Sequence, residues 1–132
     1  MEKLVSYPIS VVYYLCFGLT LVIFHPIQWI CLNVFGYQAH KKSVDYLNLF
    51  LVRCTNILGT TYSVKNKEII PNNVPIIFVA NHQSLYDIIG IIWYLRRFHA
   101  KFVSKKELGK GIPSVSYNLR HGGSVLIDRK DP

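Results

Sequence analysis

Pro75-Ile76-Ile77-Phe78-Val79-Ala80 runs directly into Asn81-His82-Gln83-Ser84-Leu85-Tyr86-Asp87, and the reading of that join decides the fold. The first half is a short unbroken apolar run, with the turn-forming Pro71-Asn72-Asn73 upstream. Such a run suits a parallel strand buried on both faces. The second half opens a helix. Ser84 is a good N-cap, and Ser84-x-x-Asp87 has the spacing of a capping box. The helix expected over residues 84–97 is rich in Ile and Leu, and its apolar stripe reads as plain core. Its closing Arg96-Arg97 complements the negative end of the helix macrodipole. In open α/β sheets, ligands collect at the carboxyl ends of strands. His82 falls at that point, with Asp87 close by.

Outward from this unit the same logic repeats. Residues 60–65 alternate and carry β-branched side chains, which predicts a strand. Short strands are expected over 100–103 and 124–127, with a helical turn at 105–108 between them. Residues 44–58 read as a helix ended by Gly59, a favourable C′ residue. Its polar side chains, Asp45, Asn48, Arg53, Thr55 and Asn56, fall on one face opposite a wide apolar face. That apolar face suits packing on the body or lying in a membrane interface. Strand, helix, strand, helix, strand predicts α/β architecture, a mostly parallel sheet with flanking helices.

The chain of 132 residues is divided by its charge. No Asp, Glu, Lys or Arg occurs from Leu4 to Ala39, and all but one of the fifteen basic residues lie from Lys41 onward. Residues 1–40 therefore form a hydrophobic membrane-anchoring segment, and 41–132 a basic body with the net charge of +8 concentrated in it. A spanning helix needs about 20 apolar residues. Tyr7 to Phe24 nearly reaches that, and the run continues past His25-Pro26 to Phe35. Because proline kinks or ends a helix, the head is either one long kinked span or a helical hairpin dipping into one leaflet. A cleaved signal peptide fits less well, since only Lys3 precedes the run and no small-x-small site follows Phe24. Lys41 and Lys42 beside the head place the body on the cytoplasmic side. The basic excess suits anionic lipid or a phosphorylated substrate, and part of it is simply solvated surface. No nucleic-acid motif is present, so nucleic acid is not an expected partner. Cys16, Cys31 and Cys54 have no C-x-x-C spacing and read as small core or lipid-facing side chains in a reducing compartment.

His82 and Asp87 are a candidate general base and orienting carboxylate. Five residues apart on one helix they would differ by about 140° and not face each other. The pair works if His82 sits in the loop and the helix starts near Ser84. The alternative is that Asp87 only caps the helix. Ser104-x-x-Glu107 is a second capping-box pattern, placing Lys105 and Lys106 in a first helical turn, where positive charge opposes the macrodipole. Either an anion lies nearby or the lysines are merely solvated. No metal is expected: His82, Asp87, His99 and His121 match no metal-ligand spacing, and His99 and His121 read as surface residues.

NHQSLYD, residues 81–87, resembles the H-x-x-x-x-D motif of the glycerolipid acyltransferases, and GGSVLIDR, residues 122–129, resembles their second motif, G-x-x-F-I-D-R. KFVSKKELGKGIP between them also suits the family, so the resemblance covers roughly residues 40 to 132. The I-D-R form is nearest the 1-acyl-glycerol-3-phosphate (lysophosphatidic acid) subgroup. Leu126 stands where the motif has Phe. The third motif, a Pro-Glu-Gly-Thr-Arg-like block, and the fourth would both lie beyond Pro132, so the chain is expected to be truncated before them and, by itself, inactive and marginally stable. The resemblance implies that His82 takes the proton of the acceptor's sn-2 hydroxyl while Asp87 fixes the imidazole tautomer. It implies acyl-CoA or an acyl carrier protein as co-substrate, with no further cofactor. Phosphatidic acid is the implied product, in phospholipid biosynthesis. Arg129 is the first candidate for the acceptor phosphate, because its planar fork matches phosphate oxygens; an ion pair with Asp128 or Asp131 is the alternative. Lys105, Gly123 and Ser84 complete the expected substrate-binding set. Another lysolipid as acceptor, or a non-catalytic membrane-associated fragment, are the competing readings.

Overall fold

The computed structural model describes residues 2–130. Its elements are α1 (Glu2–Phe35), α2 (Tyr37–Ile57), α3 (Leu85–Tyr94), β1 (Val103–Lys105), α4 (Val115–His121) and β2 (Val125–Ile127), with 3₁₀ turns at Lys67–Ile69, Arg96–Phe98 and Lys106–Gly109. The fold is mostly helical, with one short two-stranded parallel sheet.

The head is one unbroken helix of 34 residues, about 50 Å long at 1.5 Å per residue. Both Pro8 and Pro26 lie inside it. The chain therefore does not turn back at His25-Pro26; it turns at Gly36, whose φ of 83° is one that L side chains avoid. Among the described residues, Ser6–Phe35 is the one stretch long and apolar enough to cross a membrane, and only 6% of its most apolar window is buried.

From Gly36 the chain runs back along α1. Phe24 meets Phe50 at 5.6 Å, and Thr20 Oγ1 lies 3.8 Å from Cys54 Sγ, so α1 and α2 pack antiparallel. Between them Leu47, Leu51 and Val52 form the core with Ile89 of α3, covered by Phe17, Leu21, Phe24, Tyr62 and Trp93. Of the expected Ile and Leu stripe of α3, Ile89 reaches this core, while Ile88, Ile91 and Ile92 are half-buried and Leu85 is exposed. α2 starts at Tyr37, seven residues before the expected start, so the line drawn at residue 40 falls within it. Its expected polar face is also corrected. Asn48 and Thr55 are buried, their side-chain donors satisfied by carbonyls of their own helix, Asn48 Nδ2 by Val44 at 2.8 Å and Thr55 Oγ1 by Val52 at 2.8 Å. Tyr46 and Phe50 lie outside instead. Back-bonding lets a short polar side chain turn inward at little cost, and periodicity cannot register that.

The sheet is smaller than the sequence predicts. β1 and β2 pair in parallel, Val103 opposite Val125 and Lys105 opposite Ile127, which bears out the parallel sense. Residues 60–65 and 75–80 form no strand. Ile77 and Val79 are 92% and 93% exposed, the reverse of a doubly buried strand. A strand exists only through its ladder, and among the described residues β1 and β2 alone supply one. β1 begins at Val103, where the expected strand ends. Ser104 belongs to β1 and caps nothing; the turn that follows is 3₁₀ and begins at Lys106.

Candidate active site

α3 begins as its sequence indicates. Ser84 is the N-cap, its Oγ accepting from the Tyr86 N–H at 3.2 Å, and Asp87 closes the reciprocal capping box. Asp87 Oδ2 accepts from the backbone N–H groups of both Gln83 and Ser84, each at 3.1 Å. This folds residues 83 and 84 over the first helical turn. His82 lies in the loop immediately before, exposed, and among the described residues its ring makes no hydrogen bond. Asp87 Oδ1 likewise has no partner there. The carboxylate thus uses one oxygen for the cap and keeps the other open beside the loop that carries His82. No hydrogen bond joins the two side chains.

The helix that presents this motif is held from three sides. Tyr86 packs edge-on against Phe17 at 5.7 Å and Tyr13 at 6.0 Å, both on α1. Tyr62 Oη donates to the Tyr86 carbonyl at 3.3 Å and accepts from Thr55 Oγ1 of α2 at 3.3 Å. Gly90 is what lets Tyr62 approach, because a Cβ there would sit 2.6 Å from the tyrosine ring. Arg97 donates to the carbonyls of Lys67 at 2.7 Å and Ile70 at 3.4 Å, tying the preceding loop to the far end of the helix.

A second group of candidates gathers at the carboxyl end of the parallel pair. Lys105 ends β1 and lies opposite Ile127, so Lys105 and Lys106 emerge beside Asp128 and Arg129. Asp128 takes Lys106 as its ion-pair partner at 3.5 Å and accepts from the Lys130 N–H at 3.0 Å. Arg129 and Lys105 are exposed, with no ion pair among the described residues. Of the two ion-pair partners considered for Arg129, Asp128 pairs with Lys106 and Asp131 lies outside the described residues. Gly123 is at the other end of β2, with a φ of 84° in the turn out of α4, and its nearest neighbour is the Lys101 side chain. The structure therefore places Lys105 and Lys106 at the end of the sheet that leads into Arg129, and Gly123 at its other end.

Sequence reasoning missed a polar cluster at the α1–α2 elbow. Lys101 Nζ donates to Tyr37 Oη, to His99 Nε2 at 2.9 Å and to the Gly122 carbonyl at 2.6 Å, and Tyr37 Oη also donates to Gly122 at 2.9 Å. His99 is half-buried here rather than on the open surface; burial, then Lys101, Lys41 and His40, push its pKa down to about 4. His40, 1% exposed, is held below its ordinary value by burial, then by His121 and Lys101. No local pattern links positions 37, 99, 101 and 122, so only the fold reveals the cluster. The other omission is α4. Gly111, Pro113 and the Gly122-Gly123 pair make its surroundings read as loop, though Ser114 before an apolar-polar repeat is a usable start signal.

Residues 61–132 match the model of the acyltransferase family, just over half of the chain. A 1-acyl-sn-glycerol-3-phosphate acyltransferase of Helicobacter pylori is 45% identical over 58 residues, covering 42% of this chain and 22% of the relative. A 1-acyl-sn-glycerol-3-phosphate acyltransferase of Chlamydomonas reinhardtii is 26% identical over 117 residues, covering 87% of this chain and 34% of the relative. The chain thus spans about a fifth to a third of the length of these relatives. No solved structure matches it.

Proposed function

The chain belongs to the acyltransferase family, and from that premise we propose that it supplies the catalytic base and part of the acceptor-phosphate site of an enzyme that acylates the sn-2 hydroxyl of lysophosphatidic acid. The observation that carries the proposal is the join at residues 81–87: an exposed His82 in the loop leading into a capped helix whose Asp87 keeps one carboxylate oxygen open. The names of both relatives specify the same acceptor class.

The chemistry follows from these groups. Neutral His82 takes the hydroxyl proton as the acceptor oxygen attacks the thioester carbonyl of acyl-CoA or an acyl carrier protein. The open Asp87 oxygen, on closing to the imidazole, holds its other nitrogen protonated and stabilises the imidazolium that forms. The acceptor is the nucleophile, so no acyl-enzyme is required, and the thiol leaves with the proton that His82 returns. Arg129 and Lys105, exposed together at the carboxyl end of the sheet, suit the acceptor phosphate; the guanidinium contributes a two-pronged contact.

The same reading covers placement and fold. The uncovered apolar face of α1 enters the bilayer, and Lys41 and Lys42 at the start of α2 keep the body on the cytoplasmic side. In a longer protein of this family, the apolar residues 75–80 join β1 and β2 as a further parallel strand, covering Ile77 and Val79. The test is acyl transfer by the full-length protein in vesicles with a panel of lysolipids. Wild type should prefer lysophosphatidic acid, and His82→Ala should abolish transfer without leaving the membrane fraction. Near-normal turnover in His82→Ala would end the base assignment.

A further inference from the structure

Ser114 has φ 62° and ψ −48°, and the Val115 N–H donates back to the Pro113 carbonyl at 2.6 Å. This is a three-residue γ-turn of the strained positive-φ kind, which a residue other than glycine adopts only when its surroundings hold it there. The surroundings are α1. The Ser114 N–H donates to His25 Nδ1 at 3.1 Å, and its Oγ donates to the Leu21 carbonyl at 2.5 Å. Ser114 is completely buried. Leu21 and His25 are one helical turn apart on one face, just ahead of Pro26. The next turns of α1 extend the contact: the His25 ring meets Tyr117 edge-on at 5.7 Å, and Asn33 Nδ2 donates to Tyr117 Oη at 3.3 Å.

From this clamp the chain continues through α4 and β2 towards Arg129. Ser116 Oγ accepts from the Ile112 N–H and donates to the Leu108 carbonyl, fixing the start of α4 to the turn after Lys105 and Lys106. α4 ends where Gly122 N–H meets the Asn118 carbonyl at 2.6 Å. β2 then pairs with β1 as far as Ile127, two residues before Arg129. The other half of the site rests on the same helix, one to three turns earlier, through Tyr86 on Tyr13 and Phe17.

We propose that His25 and Ser114 are positioning residues that fix the phosphate-binding arm, residues 114–129, against α1, so that α1 is the common frame holding Arg129 in register with His82. The role rests on the acyltransferase reading above. It gives the lone imidazole of α1 a task and explains why a strained serine stands at a site where glycine would relax the backbone.

The experiment uses the full-length protein in phospholipid vesicles. His25→Leu removes the acceptor at Nδ1; His25→Asn keeps a side-chain oxygen near that position; Ser114→Ala removes the Oγ contact and leaves the backbone N–H, serving where His25→Leu does not fold. Two readouts are taken, amide hydrogen exchange over residues 112–127 and the separate KM values for acceptor and acyl donor. Losing one buried hydrogen bond should raise acceptor KM about fivefold, leave donor KM unchanged, and speed exchange over 112–127 more than over 85–94. His25→Asn should restore both. Unchanged exchange in His25→Leu and Ser114→Ala overturns the clamp. Loosened exchange with an unchanged acceptor KM, or an equal rise in both KM values, overturns the positioning role. The exchange measurement needs no substrate, so a wild type inactive on every lysolipid would sink the proposed function while the clamp is still decided.

Discussion

Asp87→Asn separates two tasks of one carboxylate. In the structure Oδ2 receives two backbone N–H groups at 3.1 Å and Oδ1 has no partner among the described residues; on the proposed reading Oδ1 meets the His82 imidazole. An asparagine has one acceptor oxygen. The two N–H donors at the cap claim it, which leaves the amide NH₂ facing His82. The imidazole must then present a bare nitrogen to the amide and carry its proton on the side where it should act as base. The stability cost is small. A hydrogen bond to a charged group contributes about 1.5–3 kcal/mol against about 0.5–1.5 kcal/mol for a neutral one. Solvent screening cuts that difference of about 1–1.5 kcal/mol per bond, so the two exposed bonds together lose about 1–2 kcal/mol, with a Tm fall of roughly 2–4 °C per kcal/mol in a protein of this size class. Turnover should fall far more, by about 10²- to 10⁴-fold, the range of positioned acid–base catalysis. The assay pairs thermal unfolding of the full-length protein in vesicles with its acyl transfer rate. A variant that unfolds within a few degrees of wild type and keeps kcat within about threefold would show that Asp87 only caps the helix, and the reasoning from its free oxygen would fail.

Arg129→Ala should raise the acceptor KM more than the donor KM, with Arg129→Lys recovering only part because one ammonium cannot make the paired contact; an unchanged acceptor KM in Arg129→Ala would move the phosphate site elsewhere. Gly90→Ala places a Cβ 2.6 Å and 2.8 Å from two ring carbons of Tyr62. Overpacking should cost about 1–3 kcal/mol against a helix-propensity gain of about 1 kcal/mol, so chemical denaturation should show a net loss, and equal stability would mean Tyr62 swings aside freely. His99 is held at about 4, below its ordinary value of 6.5, so the unfolded chain binds more protons between these limits. Stability should be fully present above about pH 6.5 and decline as pH falls towards about 4. His99→Gln should flatten that part of the profile, and an unchanged slope would assign the acid sensitivity to other groups.

Where a local rule is sufficient, the sequence was readable. Ser84 and Asp87 form their capping box as spaced, Gly59 follows the end of α2 with φ of 79°, and α3 sends Ile89 into the core. The parallel sense of β1 and β2 followed from the order of elements. What failed depends on partners. Residues 75–80 have every local feature of an inner strand and no ladder among the described residues. Asn48 and Thr55 are polar yet buried, because their own helix satisfies them. Among the site candidates, Lys105 ends β1 opposite Ile127, two residues before Arg129, a register that their sequence separation does not disclose. The Tyr37, His99, Lys101 and Gly122 cluster had no sequence signal at all.

The N-terminal helix shows most clearly how composition and packing answer different questions. Its length and lack of charge fit a membrane element, and a helix read only that way is an anchor separable from the body. Its contacts say otherwise. Phe17, Leu21 and Phe24 wall the core formed by Leu47, Leu51, Val52 and Ile89. Tyr13 and Phe17 support the helix that follows His82, and Leu21 and His25 hold the arm that leads to Arg129. These contacts occupy one side of α1, while Val11, Leu15, Leu19, Val22 and Trp29 are exposed on the rest. On the proposed reading, a helix with one face in the protein and the other available to lipid would give the site a fixed relation to the bilayer surface, which an acceptor with its acyl chain in the membrane and its phosphate in water would need.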